Sequence, residues 1–150
     1  MDQPKTEEFS VQTAYVAAFY LLLMIWTAVS LPLVLRKLQT LSATANMVFY
    51  GAMIAFVYVY TWFWSLGIFY RVSIDGEGGV AMKSLRRELT VSSLQISQVE
   101  GSRFPNSFGF IKLKLPKERA YIFCLRKTGE MERVLAGMKK ANPLLIRVNI

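Results

Sequence analysis

The sequence predicts a membrane α-helical hairpin of two transmembrane helices, followed by a small α+β domain whose antiparallel sheet is completed by a C-terminal helix. Two observations carry the helical part. No charged residue occurs over positions 9–35, and none over 38–70, with only Arg36 and Lys37 between. Each run exceeds the roughly 20 apolar residues that cross about 30 Å of hydrocarbon. The third observation concerns the rest of the chain: beyond Tyr70 the apolar residues fall into short alternating runs separated by turn residues. Charge divides at the same place, with three basic and three acidic side chains in residues 1–70 and fifteen basic and seven acidic in residues 71–150. The chain thus divides into an N-terminal tail (1–10), a two-helix hairpin (11–70) and a basic, strand-rich domain (71–150).

The first span runs from Val11 to about Leu35 and is closed by Arg36 and Lys37. A signal peptide is the competing reading of such a segment. The preceding residues are acidic (Asp2, Glu7, Glu8) rather than basic, and the apolar run is too long for a signal core, although Ala28-Val29-Ser30 offers the small residues of a cleavage site. Pro32 is expected to bend the end of this helix, where a neighbour or water must satisfy the freed carbonyl. The second span, about Met47 to Phe69, is rich in aromatics, and the cluster from Trp62 to Tyr70 marks one interface, because an amphipathic ring favours the headgroup level. In a chain of 150 residues, the remainder is too small to cover two such helices in a soluble core. The polar connection over residues 38–46 makes an antiparallel hairpin. Ala14 with Ala18, and Gly51 with Ala55, are small pairs at the spacing that lets helix backbones approach.

An even number of spans places both termini on one side. Lys5, Arg71, Lys83, Arg86 and Arg87 flank that side against Arg36 and Lys37 in the connection, which favours cytoplasmic termini by the positive-inside rule. Neither span contains Asp, Glu, Lys or Arg. That argues against a proton pump, an ion-coupled transporter or a voltage sensor, which need a charge within the membrane.

In the C-terminal domain Val72 and Ile74 alternate with Ser73 and Asp75, and Gly76-Glu77-Gly78-Gly79 reads as a hairpin turn. It is not a phosphate loop, since it lacks the Gly-Lys-Ser/Thr ending and does not lead into a helix. Further strands are expected near Val80, Leu89 with Val91, and Ile96 with Val99. The clearest hairpin follows: Ile111, Leu113 and Leu115 alternate with Lys112 and Lys114, Pro116-Lys117-Glu118-Arg119 turns, and residues 121–125 return. Lys112 and Lys114 then share an exposed face. A helix over 129–141 places Met131, Val134, Leu135 and Met138 on one face. Thr128 caps it, Glu130 and Glu132 occupy its first turn, Lys139 and Lys140 its last, and Asn142-Pro143 ends it. The apolar tail, residues 144–150, has the character of a strand added to a sheet edge, its own or a partner's.

Several function classes lack material. Histidine is absent and Cys124 is the sole cysteine, so the common zinc sites, His-based catalysis and an intrachain disulfide have nothing to be built from. Cys124 reads as a small buried hydrophobe. No nucleophile, base and orienting group assemble into a constellation, so neither an enzyme nor a cofactor is expected. Nucleic acid is disfavoured, because no aromatic platform or recognition helix accompanies the basic residues.

The order of elements resembles that of bacterial membrane proteins carrying a pleckstrin-homology-like domain. The resemblance covers about residues 66–141 and rests on Tyr70-Arg71-Val72-Ser73-Ile74-Asp75, Ile96-Ser97-Gln98-Val99-Glu100, Gly109-Phe110-Ile111-Lys112-Leu113 with Ala120-Tyr121-Ile122-Phe123, and Val134-Leu135. The Gly-rich turn after Asp75 and the inserted Arg103-Phe104-Pro105-Asn106-Ser107 loop depart from the pattern. The resemblance implies a strongly bent antiparallel sheet, a partial barrel or two packed sheets, closed by the helix, in the bacterial inner membrane, acting as an interaction module.

Two functions follow as expectations. One is a non-enzymatic accessory or scaffold protein whose hairpin packs with a larger membrane partner or a second copy, and whose basic domain mediates protein interaction. The alternative is a membrane-anchored sensor reading anionic lipid through Arg71, Lys83, Arg86 and Arg87, each nearby cation contributing about 1 kcal/mol. As positive-inside determinants alone, the same residues would need no ligand.

Overall fold

A computed structural model describes residues 6–40, 44–101, 109–124 and 129–149. Lys5, the loop at 103–107, Leu125, the Thr128 cap and Ile150 lie outside the described residues. The chain forms two units: a helical one, Gln12–Ser65, and a sheet unit built from residues up to Val11 together with those from Leu66 onward.

The helical unit consists of α1 (Thr13–Gln39) and α2 (Thr44–Ser65). Both are long and apolar enough to cross a membrane, and the most apolar window of each is unburied. α1 runs unbroken through Pro32 and continues past Arg36 and Lys37 to Gln39. Most of the expected 38–46 connection is therefore helical. The two helices are antiparallel, joined along their length by side-chain pairs. The Tyr20 hydroxyl donates to the Ser65 carbonyl at 2.7 Å, Trp62 Nε1 donates to Thr27 Oγ1 at 3.0 Å, and Ser30 Oγ and Tyr58 Oη lie 2.7 Å apart. Trp26 stacks on Tyr58 with ring centroids 5.2 Å apart.

α2 stops at Ser65, earlier than the expected end near Phe69. The uncharged run continues past it, but Leu66 and Gly67 form a turn and Phe69 opens a strand. An absence of charge does not distinguish residues bound for lipid from residues bound for a protein core. Ile68 and Phe69 are of the second kind, both fully buried in the sheet unit.

The sheet unit contains β1 (Glu7–Ser10), β2 (Phe69–Ile74), β3 (Gly79–Ser84), β4 (Glu88–Ser92), β5 (Gln98–Glu100), β6 (Gly109–Lys114), β7 (Arg119–Cys124), α3 (Gly129–Ala141) and β8 (Ile146–Val148). The strand order is β4-β3-β2-β7-β6-β5-β8, with β1 on β2. β1 covers Arg71 to Ile74 of β2, leaving β7 to meet that strand at one position, Phe69 against Ile122. Two sheet segments, β4-β3-β2-β1 and β7-β6-β5-β8, are thus hinged at Phe69.

Three expectations change here. Glu7–Ser10 is a strand rather than part of a tail, because Phe9 is buried opposite Val72 while Glu8 and Ser10 point outward. The sheet is mixed rather than antiparallel, since β2–β7 and β5–β8 are parallel. Ile96 is buried but belongs to the end of a short 3-10 turn, Ser93–Gln95, rather than to a strand. The apolar tail completes its own sheet as β8, running parallel to β5.

Alternation along the strands builds the core: Val72, Ile74, Val80, Met82, Val99, Ile111, Leu113 and Ile122 are buried, and α3 adds Met131, Val134, Leu135 and Met138. α3 packs closely on β2, where a Cβ at Gly137 would stand 3.1 Å from Ile74 Cγ2. Asn142, just beyond α3, is buried and fully used. Its Nδ2 donates to the Ser93 and Ile96 carbonyls at 2.9 and 3.0 Å, and its Oδ1 accepts from Leu144 N at 3.1 Å.

The Gly-rich turn joins β2 to β3. Asp75 Oδ1 accepts from the Glu77 and Gly79 amides at 3.0 and 2.7 Å, and Gly78 has φ of 85°. A Cβ there would lie 3.0 Å from both Ala141 Cβ and Ser93 Oγ. Gly78→Ala therefore combines a left-handed backbone with a steric clash and is expected to cost about 1–3 kcal/mol. Thermal unfolding in detergent, followed by near-UV circular dichroism, checks this; an unchanged transition would show that the turn tolerates a side chain.

Candidate interaction surfaces

Strand register decides what the basic residues can do. Arg71 on β2 lies directly opposite Lys83 on β3, and both are exposed. Like charges in that position repel, and each draws a carboxylate from the strand on its outer side. Arg71 Nε lies 3.0 Å from Glu8 Oε1 of β1, and Lys83 Nζ pairs with Glu88 Oε1 of β4. The outward face of four strands thus carries a row reading Glu8, Arg71, Lys83, Glu88, whose charges cancel. The hydrogen bond and charge of Lys83 hold the Glu88 carboxyl below the usual range, and those of Glu88 raise the Lys83 ammonium. On the acid side the pair is consequently lost as pH falls through the lowered value of Glu88, and on the alkaline side as pH rises through the raised value of Lys83.

The other two predicted cations sit at the β3–β4 turn. Ser84 and Arg87 close it: the Ser84 amide donates to the Arg87 carbonyl at 2.9 Å, and Arg87 N donates to Ser84 Oγ at 3.0 Å. Only Leu85 and Arg86 remain at the tip, both exposed. Arg87 points back into the unit. Its Nη2 lies 2.6 Å from Glu118 Oε2 in the β6–β7 turn, and its Cζ lies 5.5 Å from the centroid of the Phe69 ring. Arg87 therefore ties two turns and the first residue of β2 together. The backbone of Arg86 is tied as well, its amide donating to the Leu66 carbonyl at 3.0 Å. Lys112 pairs with Glu100 at 2.7 Å and is half-buried, whereas Lys114 on the same face is exposed.

The small-residue pairs are not brought together. Ala14, Ala18 and Ala55 are exposed on the helical unit, while a Cβ on Gly51 would stand 3.5 Å from Leu38 Cδ2 of α1. The helix seam is made by hydroxyls, indole N–H groups and rings instead. Polar pairs of this kind do the work of close backbone approach where no hydrophobic force distinguishes helix from lipid.

A second exposed surface was not anticipated. Asn142 draws together the 3-10 turn and the residues after α3, and from these segments project Leu94, 70% exposed, Leu144, 87% exposed, and Ile146 of β8, 58% exposed. Leu145 between them is buried. β8 terminates the strand order, so this apolar surface adjoins a sheet edge. Cys124, at the end of β7, is half-buried. Among the described residues no group of three His, Cys, Asp or Glu side chains is placed to hold a metal ion.

The acidic partners were legible in part. Glu88 follows Lys83 across a short turn, where hairpin register alone pairs them, but Glu8 and Glu118 are brought in by long-range topology. Titration of the Glu88 carboxyl by carbon NMR is expected to give a midpoint below that of an ordinary glutamate, and Lys83→Met to return it there. A normal midpoint in the unsubstituted chain would remove the ion pair from this face.

Comparison with protein-family models, with curated proteins and with solved structures finds no match for this chain.

Proposed function

We propose that this chain is an integral membrane protein acting as a non-enzymatic accessory or scaffold subunit, its helical hairpin packing with a larger membrane partner or a second copy. The observation that carries this reading is the inverted polarity of the helix pair. Large apolar side chains such as Leu22, Leu33, Val48, Phe56 and Val59 face outward, while Ser30, Tyr58, Thr27 and Trp62 turn toward one another. In water such a surface would far exceed the few hundred Å² of contiguous apolar patch that monomers tolerate. In a bilayer it is the ordinary arrangement.

Topology follows from the same reading. Two spans would return both ends of the hairpin to one side, and the excess of flanking cations there supports a cytoplasmic side. The sheet unit is the interaction module, in keeping with a pleckstrin-homology-like domain in which a bent sheet is closed by a C-terminal helix. The surface around Leu94, Leu144 and Ile146 is its partner-binding face. Ion pairing at Arg71, Lys83 and Arg87 favours this reading over a reader of anionic lipid, because the charges such a reader needs are already neutralised within the domain.

Two measurements test the proposal. The chain should stay in the membrane fraction after alkaline carbonate extraction, and its release would end the integral reading. In mild detergent, native mass spectrometry should find it with a second membrane subunit or a second copy, and Leu94→Asp with Leu144→Asp should lower that recovery without releasing the chain from the membrane. A strictly monomeric chain recovering no partner from its own membrane would overturn the scaffold role.

A further inference from the structure

One end of the sheet unit gathers every connection to the helices. Val11, whose amide donates to the Tyr70 carbonyl at 2.8 Å, leads into α1, and Leu66 is the first residue after α2. The same end carries two hairpin tips. The β3–β4 tip is held to Leu66 by the bond from the Arg86 amide at 3.0 Å, and the β6–β7 tip is held to the β3–β4 turn by the Arg87–Glu118 pair at 2.6 Å.

What these tips present is unusual for turns. Two-residue hairpin loops favour Asn and Gly, yet here the tip is Leu85-Arg86, with Leu85 56% exposed. The β6–β7 tip presents exposed Pro116 and Lys117. An apolar side chain flanked by cations suits the boundary between headgroups and acyl chains, where apolar groups bury about 5–10 Å deep and cations meet lipid phosphates.

We infer that the Leu85-Arg86 tip is an interfacial membrane anchor: Leu85 inserts at the headgroup boundary, and Arg86 and Lys117 engage lipid phosphates. The inference rests on the reading of α2 as a membrane span. If α2 leaves hydrocarbon at Ser65, Leu66 follows about 3.8 Å later along the chain, and the tip lies one hydrogen bond from Leu66. The contact seats the domain rather than sensing lipid, and it uses Leu85 and Lys117 in place of the ion-paired Arg71, Lys83 and Arg87.

The test uses the full chain in vesicles of phosphatidylcholine with phosphatidylglycerol. On a Cys124→Ser background, a nitroxide is placed at Leu85→Cys, at Val57→Cys in the middle of α2, and at Leu94→Cys. Leu94 lies beyond the opposite end of β3, roughly 17 Å along a strand rising about 3.3 Å per residue. Collision with oxygen and with a water-soluble nickel chelate reads depth. The Leu85 label should be shielded from nickel to a degree between the Val57 and Leu94 labels. Adding Arg86→Glu with Lys117→Glu should shift it toward Leu94, by about fivefold in the ratio of seated to unseated tip for each cation lost.

If the Leu85 label meets nickel as freely as the Leu94 label while Val57 remains shielded, the anchor is wrong and the membrane span stands. Should Val57 also collide freely, the span and the anchor fall together.

Discussion

Phe69 is the first residue of β2, with no exposed surface, and it is where three strands meet. Its backbone pairs with Ser84 of β3 on one side and with Ile122 of β7 on the other, and the guanidinium of Arg87 lies over its ring. Among the described residues the two sheet segments share no other ladder. Burial of one aromatic side chain contributes about 2–3 kcal/mol to a core, and here the same residue carries the ladder between the segments and lies against the Arg87 guanidinium. Because Phe69 comes only four positions after the end of α2, the constraint that closes the sheet also fixes where the apolar helix must end.

The domain is consequently discontinuous. β1 precedes the helices and the other seven strands follow them, so the hairpin is inserted into the sheet unit rather than placed ahead of it. A fragment beginning at residue 71 would lack β1, Ile68 and Phe69, exposing the edge of β2 and removing the hinge. It would be a poor stand-in for the domain.

Much of the architecture was legible because local pattern and final structure agree. The two uncharged runs, the Asp75 turn, the Ile111 to Cys124 hairpin and the four buried residues of α3 all follow from periodicity over a few residues. The missed features depend on partners distant in sequence. Phe9 supplies a strand pattern of a single apolar position, and the adjoining span obscures it. Phe69 continues an apolar run that passes at Gly67 from an outward-facing helix to a buried strand, with no charged residue to mark the change. Ala14 and Ala18 have the spacing of a helix-packing pair, yet both are exposed on α1. Arg71 looked available from sequence because its partner, Glu8, lies on the far side of both helices in the chain.

The placement of β1 separates the order of synthesis from the order of pairing. Residues 7–10 are synthesised first but find no strand to pair with until β2 has emerged, after some sixty intervening residues. They reach β2 only when the two ends of the helix pair come together, as they do where the Val11 amide meets the Tyr70 carbonyl. Without the four-residue strand, the edge of β2 from Arg71 to Ile74 would stand open.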